Sequence, residues 1–171
     1  MRAPRRLRGI VTGIAPLYET DKRVELFTLT EGRIMVRAKG ASRSQKRFGG
    51  RLEPTTVLDV QLQGGGMPML LDCEVVTSFV SLRSSFNAIS VAMYGIQACR
   101  LATVPEQPNP DLYALLLDLL QRLDTQVPPK VALTGFQEGF LQVEGLPHEA
   151  VFSHVFELYT GQSLPIPLLI E

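Results

Sequence analysis

The feature that most constrains this chain is a change of hydrophobic period near Leu82. Before it, short runs bounded by Gly and Pro alternate apolar and polar residues; after it, apolar residues recur about every 3.6 positions. An alternating run buries one face only as a strand, and a 3.6-residue repeat only as a helix. The chain is therefore expected to be an α+β protein in two parts, residues 1–80 built of strands and residues 81–171 all-helical. With 171 residues, 45% of them apolar, it has enough material for one ordinary domain or two small ones.

Five strands are expected in the first part, over 7–15, 24–30, 33–39, 55–63 and 69–79. Pro16 to Lys22 reads as a polar turn after the first, Glu31-Gly32 as a hairpin connection between the second and third, and Gly64-Gly65-Gly66 as the end of the fourth. In the fifth, alternation puts Leu71, Cys73 and Val75 on one face and Leu70, Asp72, Glu74 and Val76 on the other. Five short antiparallel strands with glycines at positions 9, 13 and 40 suit a small closed barrel of OB or SH3-like type. Periodicity does not decide between them, because strand order is not periodic.

In the second part a helix is expected from about Leu82, capped by Ser84 or Ser85, with Phe86, Ile89, Ala92, Met93, Ile96 and Leu101 as its stripe. Asn109 and Pro110 are N-cap and first-turn signals for a second helix over 111–123 with a wide leucine face. A third is expected over 131–143, weakened by Gly135 and Gly139, and a fourth from Pro147 or His148 to about Tyr159. Pro165 and Pro167 keep the remainder extended.

The formal net charge of zero conceals a division by position. Residues 1–60 hold 13 Lys and Arg against 6 Asp and Glu, a net +7, while residues 61–171 hold 4 against 11, a net −7. Any attraction for a phosphate backbone belongs to the first part. It concentrates in one stretch: Arg33, Arg37 and Lys39 share one side of an alternating strand whose other side is Ile34, Val36 and Ala38. Arg43, Lys46, Arg47 and Arg51 follow in a Ser- and Gly-containing loop that also holds Phe48. Either the stretch is a solvated charged hairpin or it tracks a polyanion, with Phe48 as a face for base stacking. Cations on a strand and loop suit backbone contacts, so such binding is expected to be largely independent of base sequence.

Enzyme chemistry finds little support. His148 and His154 are six apart and do not share a helix face, and no Walker loop, GxSxG elbow or HExxH occurs. Cys73 and Cys99 form no CxxC pair and lie among apolar residues, so each is expected to be a buried small hydrophobe, and no metal or cofactor is expected. No apolar run is long enough to span a membrane, and the basic N-terminus lacks an apolar leader core, so a soluble cytoplasmic protein is expected.

An ordered series of fragments resembles the N-terminal signature of the RecO family of bacterial recombination mediators. These are Arg8-Gly9-Ile10-Val11, Glu19-Thr20-Asp21, Val24-Glu25-Leu26-Phe27-Thr28, Gly32, Ala38-Lys39-Gly40-Ala41, and Arg47-Phe48-Gly49-Gly50-Arg51-Leu52-Glu53-Pro54. Asn109-Pro110-Asp111-Leu112-Tyr113 is similar to a helix start in the same family. The resemblance implies an N-terminal five-stranded OB-fold β-barrel, residues 1–80, followed by an all-helical C-terminal domain, residues 81–171. It implies binding of single- and double-stranded DNA, annealing of complementary strands, and help in loading RecA onto strands covered by single-strand DNA-binding protein, usually with RecR. The matching basic positions are Arg37, Lys39, Arg43, Arg47 and Arg51. Many members carry a four-cysteine zinc element that this chain lacks, so no zinc is expected. The contrasting expectation is a protein-interaction adaptor whose working surface is the leucine-rich helical part.

Overall fold

A computed structural model describes residues 3–43 and 48–171. The chain divides into two compact units, Met1–Ser78 with Val104–Pro108, and Phe79–Thr103 with Asn109–Glu171.

The first unit is a closed barrel of β1 (Arg5–Leu17), β2 (Asp21–Thr28), β3 (Gly32–Ala38), β4 (Val57–Gln63) and β5 (Met69–Thr77). The order β1-β2-β3-β5-β4 closes where β4 pairs with β1, and only the short β3–β5 contact is parallel. That order is the OB fold, which resolves the choice periodicity left open. Val11, Val24, Leu26, Val36, Leu58, Val60 and Leu62 fill the interior.

Two strands depart from simple alternation, and each departure is a bulge. In β1, Val11 pairs with Leu26 and Gly13 with Glu25, leaving Thr12 as an extra residue whose hydroxyl donates to Glu25 Oε1 at 2.9 Å. In β5, Gln61 pairs with Asp72 but Leu62 with Leu70, so Leu71 is extra. Leu70 and Cys73, expected on opposite faces, are therefore both buried in the core. A second shift, at Val76, leaves Val75 and Val76 both exposed.

Gly32 shows how tightly the β2–β3 turn is covered. Its φ is +71°, and a Cβ there would lie 2.3 Å from the Gln107 carbonyl oxygen. Residues 104–108 belong to this unit: the Glu106 N–H donates to the Arg33 carbonyl at 2.9 Å.

The second unit holds a short α1 (Val80–Arg83), then α2 (Phe86–Ala102), α3 (Pro110–Asp124), α4 (Pro129–Val143) and α5 (Phe152–Thr160). Ser85 caps α2 by accepting from the Ala88 N–H, and Asn109 caps α3 by accepting from Leu112. The buried stripe of α2 differs from the expected one. Ala88, Val91, Ala92, Gly95, Ile96 and Cys99 face inward, while Phe86, Ile89 and Met93 are exposed. Small residues win that face because α3 approaches closely, and a Cβ on Gly95 would lie 2.3 Å from Leu119 Cδ2.

Leu112, Leu116, Leu119, Leu120 and Leu123 of α3 are all buried, so the leucine face is core and offers no open groove. The last helix begins at Phe152, later than expected. Phe152 and Phe156 pack on Phe140 of α4 with ring centroids 5.6 and 5.4 Å away. After Thr160 the chain forms no further helix or strand, and the Asn87 carboxamide both donates to and accepts from the Ile170 backbone, at 2.7 and 2.8 Å.

Candidate nucleic-acid interface

The outer face of the β2–β3 hairpin and the turns beside it carry a group of exposed cations. Hairpin register places Arg23 directly opposite Arg37. Two like charges at such a position repel. Asp21 relieves the repulsion: the Arg37 Nε donates to Asp21 Oδ2 at 2.6 Å, and the carboxylate, only 3% exposed, also accepts from the Gly40 N–H at 2.9 Å and the Thr20 hydroxyl at 3.0 Å. The Gly40 N–H, with Arg37 and Thr20 adding to it against the opposing effect of desolvation, holds the Asp21 carboxyl below its ordinary range. Arg37 is thus locked, with its guanidinium 5.5 Å from the centroid of the Tyr18 ring.

Arg23, Lys39 and Arg43 are exposed, and none of them makes an ion pair among the described residues. They sit where a polyanion would meet them without first displacing a carboxylate. Arg23 was not singled out by its own sequence surroundings. The connection expected at Glu31-Gly32 is instead the three residues Leu29-Thr30-Glu31, because Thr28 pairs with Gly32, and it is this turn that sets the register bringing Arg23 opposite Arg37, where a Glu31-Gly32 turn would have put Gly40.

Other expected members of the site have different places. Arg33 lies 3.5 Å from the buried Glu25 carboxylate, its side chain 18% exposed, and its backbone is bridged by residues 104–108. It adds little surface. Arg51 donates from Nε to the Phe48 carbonyl and from Nη1 to the Cys73 carbonyl, both at 2.7 Å, and so ties the end of the loop to β5. Lys46 and Arg47 lie outside the described residues.

The stacking role expected of Phe48 requires correction. The ring is 2% exposed and belongs to the barrel core with Leu52 and Val36, so neither of its faces is open to a base. The exposed aromatic of this region is instead Tyr18, 79% exposed in the β1–β2 connection.

The opposite side of the barrel is differently charged. Arg6, Arg8, Asp59, Gln61, Asp72 and Glu74 line an open groove of about 340 Å³ over β1, β4 and β5. Arg8 pairs with Asp59 through two bonds of 2.8 and 3.0 Å, which hold the Asp59 carboxyl below its usual range. Carboxylates outnumber guanidinium groups there, so phosphate would be repelled as much as attracted.

Cys73 and Cys99 are free and buried, and burial pushes both thiols up. His148 and His154 are exposed. Among the described residues no group of three or more His, Cys, Asp or Glu is arranged to hold a metal ion, and no helix is long and apolar enough to cross a membrane.

A closed barrel of this strand order, followed by a helical part, defines an OB-fold protein of the α+β class. The family model described as Recombination protein O N terminal matches residues 1–79, and the chain belongs to the RecO family. The DNA repair protein RecO of Anaeromyxobacter sp. (strain K) is 34% identical over 144 residues, covering 82% of this chain and 57% of that protein. That of Myxococcus xanthus (strain DK1622) is 35% identical over 130 residues, covering 75% and 53%, and that of Geobacter metallireducens 34% over 141, covering 82% and 58%. The chain spans a little over half the length of these curated relatives.

Proposed function

We propose that this chain is a non-enzymatic DNA-binding protein of recombinational DNA repair, acting in the cytoplasm at the nucleoid. It binds single- and double-stranded DNA along the β2–β3 face, anneals complementary strands, and assists RecA loading on strands covered by single-strand DNA-binding protein, with RecR as a further partner. The barrel, residues 1–80, is its DNA-binding domain. The observation that carries this reading is the run of exposed Arg23, Lys39 and Arg43 around the locked Arg37, on an OB barrel whose named relatives are DNA repair proteins. Lys46 and Arg47, in the same loop, extend the run in sequence.

Cations that track a backbone make affinity fall with salt. With about five phosphates contacted by these residues, log K against log salt for a single strand is expected to have a slope of about −3.5. Fluorescence anisotropy with labelled single-stranded and duplex oligonucleotides at several salt concentrations measures it, and annealing of complementary labelled strands tests the activity. Binding that is absent at low salt overturns the reading.

A further inference from the structure

We infer that Tyr18 is a stacking platform for an unpaired base, and that it gives the β2–β3 face a preference for single-stranded nucleic acid over duplex. This inference rests on the DNA-binding reading above and specifies which strand form the site takes.

The first ground is the conformation of Tyr18 itself. It occupies the left-handed region at φ 55°, which is uncommon for an aromatic residue and strains the backbone. The ring is 79% exposed in the β1–β2 connection, the loop beside the sheet face that OB barrels use for oligonucleotides.

The second ground is the support behind the ring. Arg37 lies on one side, 5.5 Å from the ring centroid, and is itself held by the buried Asp21. The free face is therefore the one turned away from Arg37. A cation behind one face and a base on the other is a favourable sandwich for a π-system.

The third ground is placement. The Ser42 N–H donates to the Thr20 carbonyl at 2.9 Å, and the Gly40 N–H to Asp21 at 2.9 Å, so the β1–β2 turn is tied to the start of the cationic loop. A strand whose phosphates lie along Lys39 and Arg43 would pass the ring. The adjacent Glu19 is exposed and repels phosphate, which leaves the ring to contact bases. In a duplex each base already has stacked neighbours on both faces, so only an unpaired strand can present one.

The test uses the full chain, an oligothymidine and a blunt-ended two-strand duplex, with Tyr18→Ala and Tyr18→Phe. Tyr18→Ala is expected to weaken oligothymidine binding by about tenfold while leaving duplex binding within about twofold, and Tyr18→Phe to bind both as the wild type does. The chain has no Trp and four Tyr, of which Tyr94 and Tyr113 are buried, so the tyrosines that a bound base can quench by contact are Tyr18 and Tyr159. Oligothymidine should quench it in the wild type and not in Tyr18→Phe. Oligothymidine binding unchanged in Tyr18→Ala, or weakened equally with duplex binding, overturns the platform while the DNA-binding reading stands. No binding of either nucleic acid by the wild type overturns both.

Discussion

Both sides of the barrel carry arginines, yet they present different charge to solvent. On the β1–β4–β5 side, Arg8 is paired with the exposed Asp59, and Asp72 and Glu74 stand in the same groove. On the β2–β3 side the carboxylates paired with Arg37 and Arg33, those of Asp21 and Glu25, are buried, while Arg23, Lys39 and Arg43 stay exposed. The contrast separates the number of cations from their availability. A phosphate approaching the first side must compete with carboxylates already in place, whereas at Arg23, Lys39 and Arg43 no ion pair among the described residues has to be broken. Burying Asp21 serves this by neutralising Arg37 beside Arg23 without placing a carboxylate at the surface.

The largest effect is expected at the root of the cationic loop, a feature the compensated side lacks. Phe48 fills the barrel core at the loop's exit. Phe48→Ala should destabilise the barrel by about 3–5 kcal/mol, through lost burial and a cavity that closes only partly. Chemical denaturation measures this directly. An effect below 1 kcal/mol would mean that the ring is not core, and would return it to the exposed aromatics.

Next in size, Arg23→Ala, Lys39→Ala and Arg43→Ala together should lower single-strand affinity on the order of a hundredfold at about 0.1 M salt and make the salt slope shallower by about two. These side chains are exposed, so the melting temperature should barely move. If affinity survived, the cationic side would be as inert towards DNA as the compensated one.

How much of this contrast could be read from the sequence follows from what each feature depends on. The alternation of β3, with Ile34, Val36 and Ala38 inward, needs only neighbouring residues and was legible, as were the caps at Ser85 and Asn109. Strand order depends on pairing between distant segments, so the barrel type came from family resemblance. Bulges break the count of two by one residue, which is why Leu70 and Cys73 share the core against expectation. The buried stripe of α2 departs from the hydrophobic one because size outweighs hydrophobicity there: at Gly95 the neighbouring helix leaves no room for a side chain. At the site, cations near an aromatic were visible around Phe48. That the ring turns inward, and that Tyr18, 30 positions earlier, is the exposed one, depends on how the loop returns to the barrel.

Asp21→Asn should give a smaller effect with opposite signs in its two readouts. The amide can still accept from Gly40 but no longer neutralises Arg37, so stability should fall while single-strand affinity rises about fivefold, the value of one added phosphate contact near 0.1 M salt. Its pH dependence follows from the lowered carboxyl of Asp21. A group depressed in the folded state contributes stability that is fully present above its unfolded value, about 3.9, and is lost as pH falls through the folded value. Wild type and variant should therefore differ most in melting temperature above about pH 5 and converge in stronger acid. A gap that stayed constant down the acid limb would remove the charge of Asp21 from the explanation.

The smallest effect is expected on the compensated side, and it guards the comparison against a simpler explanation. If total charge alone governed DNA affinity, any arginine removed from the barrel would weaken binding by the same factor. Arg8 is already committed to Asp59 by two hydrogen bonds at a half-exposed position, so Arg8→Ala removes a charge that phosphate was not reaching. Exposed ion pairs contribute about 0.2–1 kcal/mol to stability, and the variant should lose no more than that. DNA affinity should stay within about twofold and the salt slope unchanged, because no released counterion depended on this residue. A fivefold loss with a shallower slope would show that the β1–β4–β5 groove takes part in binding. The two sides of the barrel would then form one continuous surface for the nucleic acid.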